Sequence, residues 1–485
     1  MIVILFISSG VVAGLDLKIQ NLNEQNGDEE IDWWPMFQHD PGRTGYSSSH
    51  GPETNQTLWK IKGHFSSFPV VINSKVYIGG YYSELFCFDV DTGNELWNYS
   101  TDYWGVSSPA VYDGKIFFNS CDRYTYCLDE VTGEKIWQVK TGDAGYVMAN
   151  GPVVINDKVY VSTDKIYCLD AKTGEEIWSN TSGLFFAVED NRLFSVRDSI
   201  NKQNVFCIDA ENGEIIWSLK LYGGVYAPPT VSNGKLYVGA GRSDYCNIKI
   251  FCLDAKTGIE YWNQTIKESK IFTDSITCSP AVCNDKVIVG SEIIHCLNVE
   301  NGKEIWNYTT AAKIKYSSPA ICDGKIYICD LEGGIYCLNL ENGNEIWKYK
   351  TDLYIQISPA VANGKLYVAS LYWLYCFTDQ LIVDIERKIT GRITDVKIEN
   401  PSEYSSTNVT YTISIKGGLL GLIDYQFTNN FSNFDPGKIE LVNIYRKIFG
   451  FGKITIHVIA DAENIDPFNK EYKGFIIGIF IFITN

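Results

Sequence analysis

Five aspartates, Asp89, Asp129, Asp170, Asp209 and Asp254, each follow a cysteine by two residues and each precede a Thr-Gly or Asn-Gly pair. Carboxylates are what a general base or a calcium site needs, and thiols are what a disulfide or a soft-metal site needs. The local setting points elsewhere. At this spacing the Asp side chain bonds the backbone of its own turn, and the Gly takes the positive φ the turn requires. In two further copies the Asp is replaced by Asn298 and Asn339. The five histidines, His39, His50, His64, His295 and His457, show no His-x-x-His spacing, and the chain has no Cys-x-x-Cys; a zinc site of ordinary spacing is absent. His295 holds an aromatic repeat position before Cys296 and reads as a core residue. Neither Cys121-Asp122 nor Cys278 with Cys283 makes a recognisable metal site, and no Gly-x-Ser-x-Gly elbow marks a nucleophilic serine.

The elements that would have to position any such groups are repeated. Seven copies of aromatic-Cys-apolar-Asp/Asn, two residues, Thr/Asn-Gly, three residues, Trp end at Trp97, Trp137, Trp178, Trp217, Trp262, Trp306 and Trp347. An eighth opens at Tyr375-Cys376-Phe377 without its Trp, and Trp59 stands near the other end with no repeat before it. A period of about 40 residues built from short strands indicates propeller blades. Each unit reads as four strands. In the third they are an inner strand from Gly151, the turn Asn156-Asp157, strands from Lys158 and Lys165, and an outer strand holding Trp178. Inner strands start at Phe68, Ser108, Gly151, Phe185, Ala227, Ser279, Ser318 and Ser358, and with Trp59 the outer tryptophans match them in number. The spacing predicts an eight-bladed ring in which the strand around Trp59 completes the blade opened at Ser358, leaving no free sheet edge.

The ring is expected over residues 33–380. The aromatic segment Trp33 to Tyr46 is too apolar for a linker and is expected to lie across part of it. Residues 1–14 resemble the apolar part of an export signal without its basic leader, and 15–32 form an acidic leader. From 381 to 485 the alternation at 409–415 and 454–459 predicts a small β-sandwich, with the apolar stretch 475–483 as its final strand. The expected fold is all-β, an N-terminally closed eight-bladed propeller followed by this sandwich. A net charge of −17 excludes a phosphate-tracking nucleic-acid surface, and no apolar stretch reaches the length of a membrane helix. Seven Asn-x-Ser/Thr sequons, at Asn55, Asn98, Asn180, Asn263, Asn307, Asn408 and Asn430, fit a glycosylated exterior. Of fourteen cysteines, eight (Cys87, Cys127, Cys168, Cys207, Cys252, Cys296, Cys337 and Cys376) share one repeat position. Equivalent sites in neighbouring blades lie too far apart to bridge, so these read as small buried fillers. Cys121, Cys246, Cys278 and Cys329 are left as candidates for one or two disulfides.

The repeated unit resembles the tryptophan-docking repeat of PQQ-like propellers over about residues 33–380, with Cys where that family usually has Ala. The resemblance implies that Trp97, Trp137, Trp178, Trp217, Trp262, Trp306, Trp347 and, by position, Trp59 each pack between their own blade and the next and lock the ring. The opening Trp34…Phe37-Gln38-His39-Asp40…Gly45-Tyr46 resembles the lead-in of exported, non-enzymatic members. The tail from Gly391, including 449–456, is similar to immunoglobulin-like modules of archaeal surface proteins.

Two functions follow from that resemblance. Some members hold PQQ and calcium at the ring's centre and oxidise alcohols or sugars. Others, such as the scaffold of outer-membrane barrel assembly, hold no cofactor. The first needs a catalytic carboxylate, calcium ligands and a Trp floor, and its alcohol-oxidising branch adds adjacent cysteines. This chain has no Cys-Cys pair and no long blade insertions, so no cofactor is expected, with PQQ- and calcium-dependent oxidation as the alternative. The expected function is a non-catalytic scaffold that binds protein or glycan at the cell surface. Its candidate face is formed by the connections from each outer strand to the next inner strand, which carry Phe65, Tyr103, Trp104, Tyr146, Tyr226, Phe272, Tyr316 and Tyr354. These rings either cap the inter-blade core or present rigid contact area to a partner.

Overall fold

The computed structural model of the chain describes residues 31–142, 151–197, 204–221, 223–242, 247–267, 278–351 and 354–379, and, towards the C-terminus, 382–387, 393–399, 406–417, 423–434, 439–443, 450–462, 465–478 and 480–483. The expected export signal and most of the acidic leader, together with Tyr146, Phe272 and Cys246, lie outside these residues. The described residues are all-β, with no α-helix.

Eight four-stranded antiparallel blades follow one another. The first runs Val70–Ile72, Lys75–Gly79, Glu84–Asp89 and Glu95–Ser100 from centre to rim, and six more repeat it up to Lys350. The eighth takes Ala360–Ala362, Lys365–Ala369 and Trp373–Thr378 from one end of the chain and its outer strand, Thr57–Lys62, from the other. Trp59 lies opposite Cys376 in that pairing, so the ring is closed by main-chain hydrogen bonds between distant segments. Most inner strands are only three residues long and begin two residues later than the repeat alone suggests.

The repeat residues account for the blade geometry. Each repeat cysteine faces the docking tryptophan across one strand pair, as in Cys168↔Trp178, and in seven blades an aromatic residue across the other, as in Tyr160↔Cys168. The Tyr160 and Trp178 rings meet over it at 5.9 Å and 48°. A small side chain is what this space admits, and all eight cysteines are fully buried. In the turn, Asp170 Oδ1 accepts from the backbone N–H groups of Lys172 and Thr173 at 2.9 and 2.8 Å. Gly174 adopts φ of 77°, and a Cβ there would sit 2.8 Å from the Trp137 ring of the preceding blade. The ladder then slips by one residue immediately before each Trp. That bulge turns Leu96, Ile136, Ile177, Ile216, Tyr261 and Ile305 out to solvent.

The segment preceding the ring does more than lie across it. Its carbonyls at Trp34, Pro35, Pro41, Gly42, Thr44 and Gly45 accept from Val71, Val111, Val188, Val231, Val282 and Ile321, the inner-strand N–H groups of six blades, at 2.7–2.8 Å. Tyr46–Ser47 adds a short parallel pairing with Ala320–Cys322. The innermost strand edges, open in an unfilled ring, are thereby satisfied by a central plug. Arg43 anchors it. It is 1% exposed and donates to the carbonyls of Phe186, Phe37 and Gly151 at 2.9, 3.0 and 3.3 Å.

Beyond the ring, one sheet joins Ile382–Arg387, Ile393–Glu399 and Ile439–Asn443, and another joins five strands in the order 423–434, 406–417, 450–462, 465–478, 480–483. Val409, Tyr411, Ile413 and Ile415 are all buried, the period-two pattern of a covered sheet face. The apolar stretch 475–483, expected as one strand, is instead a hairpin, with Phe475 opposite Phe482 and Ile477 opposite Phe480.

Candidate binding face

Two kinds of connection emerge on the same face of the ring, here called the upper face: outer strand to next inner strand, and second strand to third. They enclose a cavity of about 620 Å³ to which six blades contribute, which places it on the ring axis. Phe37 of the plug and Phe65, Phe68 and Phe185 form apolar wall, with Phe37 stacked on Phe68 at 4.3 Å. Tyr226, Tyr316, Tyr354 and Tyr81 add phenol rings, and Ser66, Ser279, Ser318 and Gln356 add uncharged polar groups. No described lining residue is charged. Lys315 holds its ammonium 5.1 Å from the Tyr316 ring centroid without lining the cavity. Tyr316 also takes φ of 68°, a left-handed conformation unusual for so bulky a residue.

Of the aromatics expected on this face, Phe65, Tyr226, Tyr316 and Tyr354 are brought to the one cavity. Their exposures differ. Phe65 is 2% exposed and packs edge-on against Phe86 and Phe88, whereas Tyr354 is 65% exposed. Tyr103 and Trp104 do not line the cavity; they stand beside it, 61% and 60% exposed. Trp104 meets Tyr82 at 6.0 Å and the cavity residue Tyr81 at 6.4 Å, and His64 links Tyr82 to Tyr372. An aromatic rim thus continues from the cavity over three neighbouring blades. Tyr81 and Tyr82 were missed by reading only one class of connection, and Phe37 because it comes from the plug. The signal for the first two was present, since Tyr81-Tyr82 sits between second and third strands, which open on the same face.

The tryptophans form the other recurrent constellation. Trp59, Trp137, Trp178, Trp217, Trp262 and Trp306 each donate from Nε1 to a carbonyl of the next blade, at Val90, Ala171, Ala210, Ala255, Val299 and Leu340, at 2.9–3.2 Å. Trp347 has no following turn to meet and donates to Pro52 instead, at 3.1 Å. Trp97 Nε1 finds no partner within the protein; there the next blade carries Glu130, whose carbonyl accepts from Tyr77. Burial pushes the repeat thiols of Cys87, Cys127, Cys168, Cys207, Cys252 and Cys296 up to about 12, out of the nucleophilic range. No disulfide joins two described cysteines, Cys121, Cys278 and Cys329 among them; the fourth candidate, Cys246, lies outside the described residues.

A family model described as outer membrane protein assembly factor BamB matches residues 44–183 and 162–381, the whole run of blades. The chain belongs to this family. No curated protein matches it. Among solved structures, BamB from Moraxella catarrhalis is similar at 16% identity and a TM-score of 0.54, covering 66% of this chain and 99% of that one. A quinohemoprotein alcohol dehydrogenase from Comamonas testosteroni is similar at 12% identity and 0.58, over 74% and 83%. The computationally designed Ika8 protein is similar at 14% and 0.56, over 67% and 99%. At such identities the likenesses establish the eight-bladed fold and no activity. The described cavity lining does not fit a PQQ–calcium centre. That quinone carries carboxylates that need cationic partners, and calcium needs several oxygen ligands, carboxylates above all. The lining supplies neither cation nor carboxylate, and no trio of metal-ligating side chains occurs among the described residues.

Proposed function

We propose that this chain is an exported, non-catalytic propeller that holds a protein or glycan partner at the cell surface through its upper face. The observation that carries the reading is the uncharged aromatic cavity, continuous with an exposed aromatic rim, above a ring axis filled by the chain's own plug. Rigid aromatic side chains offer large contact area at little entropic cost. Export is supported by the character of residues 1–14 and by the position of three sequons. Asn98, Asn263 and Asn307 each follow a docking Trp and lie exposed on outer strands. The C-terminal sheets then serve as an immunoglobulin-like spacer or attachment module.

The test replaces Tyr103, Trp104 and Tyr316 together by Ala and measures partner capture from a surface extract alongside the unfolding midpoint. Capture is lost with the midpoint nearly unchanged if the face binds; unchanged capture removes the reading. Titration with PQQ and Ca²⁺ addresses the dehydrogenase alternative. A raised thermal midpoint with a shifted quinone spectrum would favour it.

A further inference from the structure

We infer that the axial cavity is a saccharide site, taking an uncharged pyranose unit of an oligosaccharide; this rests on the upper face being the binding face and names what enters it. The first observation is a hydroxyl left over from a structural relay. Around the ring, the backbone N–H at the start of one inner strand donates to the Ser Oγ at the equivalent place in the next blade. Phe68 donates to Ser108 at 2.7 Å, Ser279 to Ser318 at 2.9 Å and Ser318 to Ser358 at 2.8 Å. The matching donor for Ser279 would be residue 228, two before Thr230 as Ser279 is two before Ala281, but residue 228 is a proline and has no N–H to give. The Ser279 Oγ is buried and has no partner within the protein, in a residue that lines the cavity, so a rotation of the hydroxymethyl group about χ1 would be needed to turn it to a ligand. A buried polar group without a partner is costly unless something brings one.

The second observation is the composition of the wall. Sugars present apolar C–H faces and peripheral hydroxyls. The former stack on aromatic rings such as Tyr354 and Tyr316, and the latter pair with Ser66, Ser279, Ser318 and Gln356. The absence of charge among the described lining residues favours an uncharged ligand, and about 620 Å³ lies within the range of ligand sites. The third observation disfavours a peptide. A peptide bound by strand addition needs an open strand edge, and the inner-strand N–H groups of six blades are already bonded to the plug. Its amides would meet four uncharged polar side chains and little else.

The experiment is calorimetric titration of the full-length protein with neutral trisaccharides of glucose, galactose, mannose and N-acetylglucosamine. A glucuronate-containing trisaccharide and a blocked, uncharged pentapeptide rich in Pro and Tyr are run as competitors. At least one neutral trisaccharide is expected to bind. Tyr354→Ala should weaken it about ten-fold or more, and Ser279→Ala several-fold, about what one hydrogen bond supplies. Circular dichroism and the unfolding midpoint confirm that both variants fold. The inference is overturned if no neutral trisaccharide binds, if both variants bind as the parent does, or if the acidic sugar or the peptide binds better. Loss of capture in the Tyr103, Trp104 and Tyr316 variant with no saccharide binding would leave the platform standing and remove the sugar. Saccharide binding that depends on Tyr354 and Ser279, with capture intact in that variant, would do the reverse.

Discussion

Trp97 and Trp137 occupy the same repeat position and are both half-buried, yet only Trp137 finds an acceptor, the Ala171 carbonyl at 3.2 Å. The contrast separates ring packing from hydrogen bonding. Trp137→Phe should cost about 1–2 kcal/mol more than Trp97→Phe, because it strands a carbonyl that Trp97 never engaged; urea midpoints of the two variants measure the difference. The cysteines allow a second test. Cys168 fills a gap between Tyr160 and Trp178, so Cys168→Ala should be tolerated, within about 1.5 kcal/mol, while Cys168→Leu should cost about 1–3 kcal/mol by overpacking. Thiol-reagent counting on the folded protein should leave the eight repeat cysteines unlabelled until denaturant is added. This scale was largely legible in advance, since a small residue between two aromatics and an Asp at the head of a turn leave their mark in residue type and spacing. The exception is Trp97. The Tyr77 hydroxyl on the Glu130 carbonyl does not account for its missing partner, since Tyr160 and Trp178 share the Ala210 carbonyl, and nothing in the spacing marks the difference.

Among the elements, the plug is the one whose role sequence reading underestimated. Its aromatic residues announced burial, but what it supplies to the ring is main-chain carbonyls, and a carbonyl's direction has no residue-type signature. Its fold around Gln38, His39 and Arg43, all at positive φ, is fixed by bonds within the segment and by the Gln38 and Arg43 side chains, which donate to the distant carbonyls of Pro319, Phe186 and Gly151. His39 offers a way to probe it. Burial alone would lower its pKa, but hydrogen bonds to the Asp32 carboxylate at 2.9 Å and to Asp40 at 3.4 Å outweigh this and raise it to about 9. Burial would raise Asp32; the bonds to His39 and Ser48 hold it well below the usual carboxylate range. A raised histidine stabilises fully below its unfolded pKa of about 6.5 and loses that contribution as pH climbs through about 9. A lowered carboxylate stabilises above its unfolded value of 3.8 and loses it as pH falls. The thermal midpoint of the parent should therefore exceed that of His39→Gln most between about pH 4 and 6.5. The gap should close above pH 9, and a gap independent of pH would show that the imidazole is not charged in the folded state.

At the scale of the whole molecule, a ring differs from a linear repeat array in having no ends to fray. In an open array each repeat rests only on its neighbours, and terminal loss is gradual. Here the eighth blade borrows Thr57–Lys62, Trp59 docks on the Val90 carbonyl of the first blade, and Trp347 of the seventh donates to Pro52 just upstream. The split repeat made this closure readable, since a Trp without a motif and a motif without a Trp can only complete each other across the ring. What could not be read was that the same stretch also serves the seventh blade, because Pro52 stands in for a turn that the eighth blade lacks. Three blades thus depend on a dozen residues. Deleting 54–63 removes a docking tryptophan, a site class worth about 3–5 kcal/mol on truncation, together with a strand's worth of hydrogen bonds. Against a typical net stability of about 5–15 kcal/mol, that loss should lower the unfolding midpoint of the entire ring. Tryptophan fluorescence, far-ultraviolet circular dichroism and amide exchange in the fourth blade, opposite the cut, should shift together. An early transition confined to blades seven, eight and one, with the fourth still protected, would mean that the plug rather than the closing strand couples the blades, because its six carbonyl bonds survive the deletion.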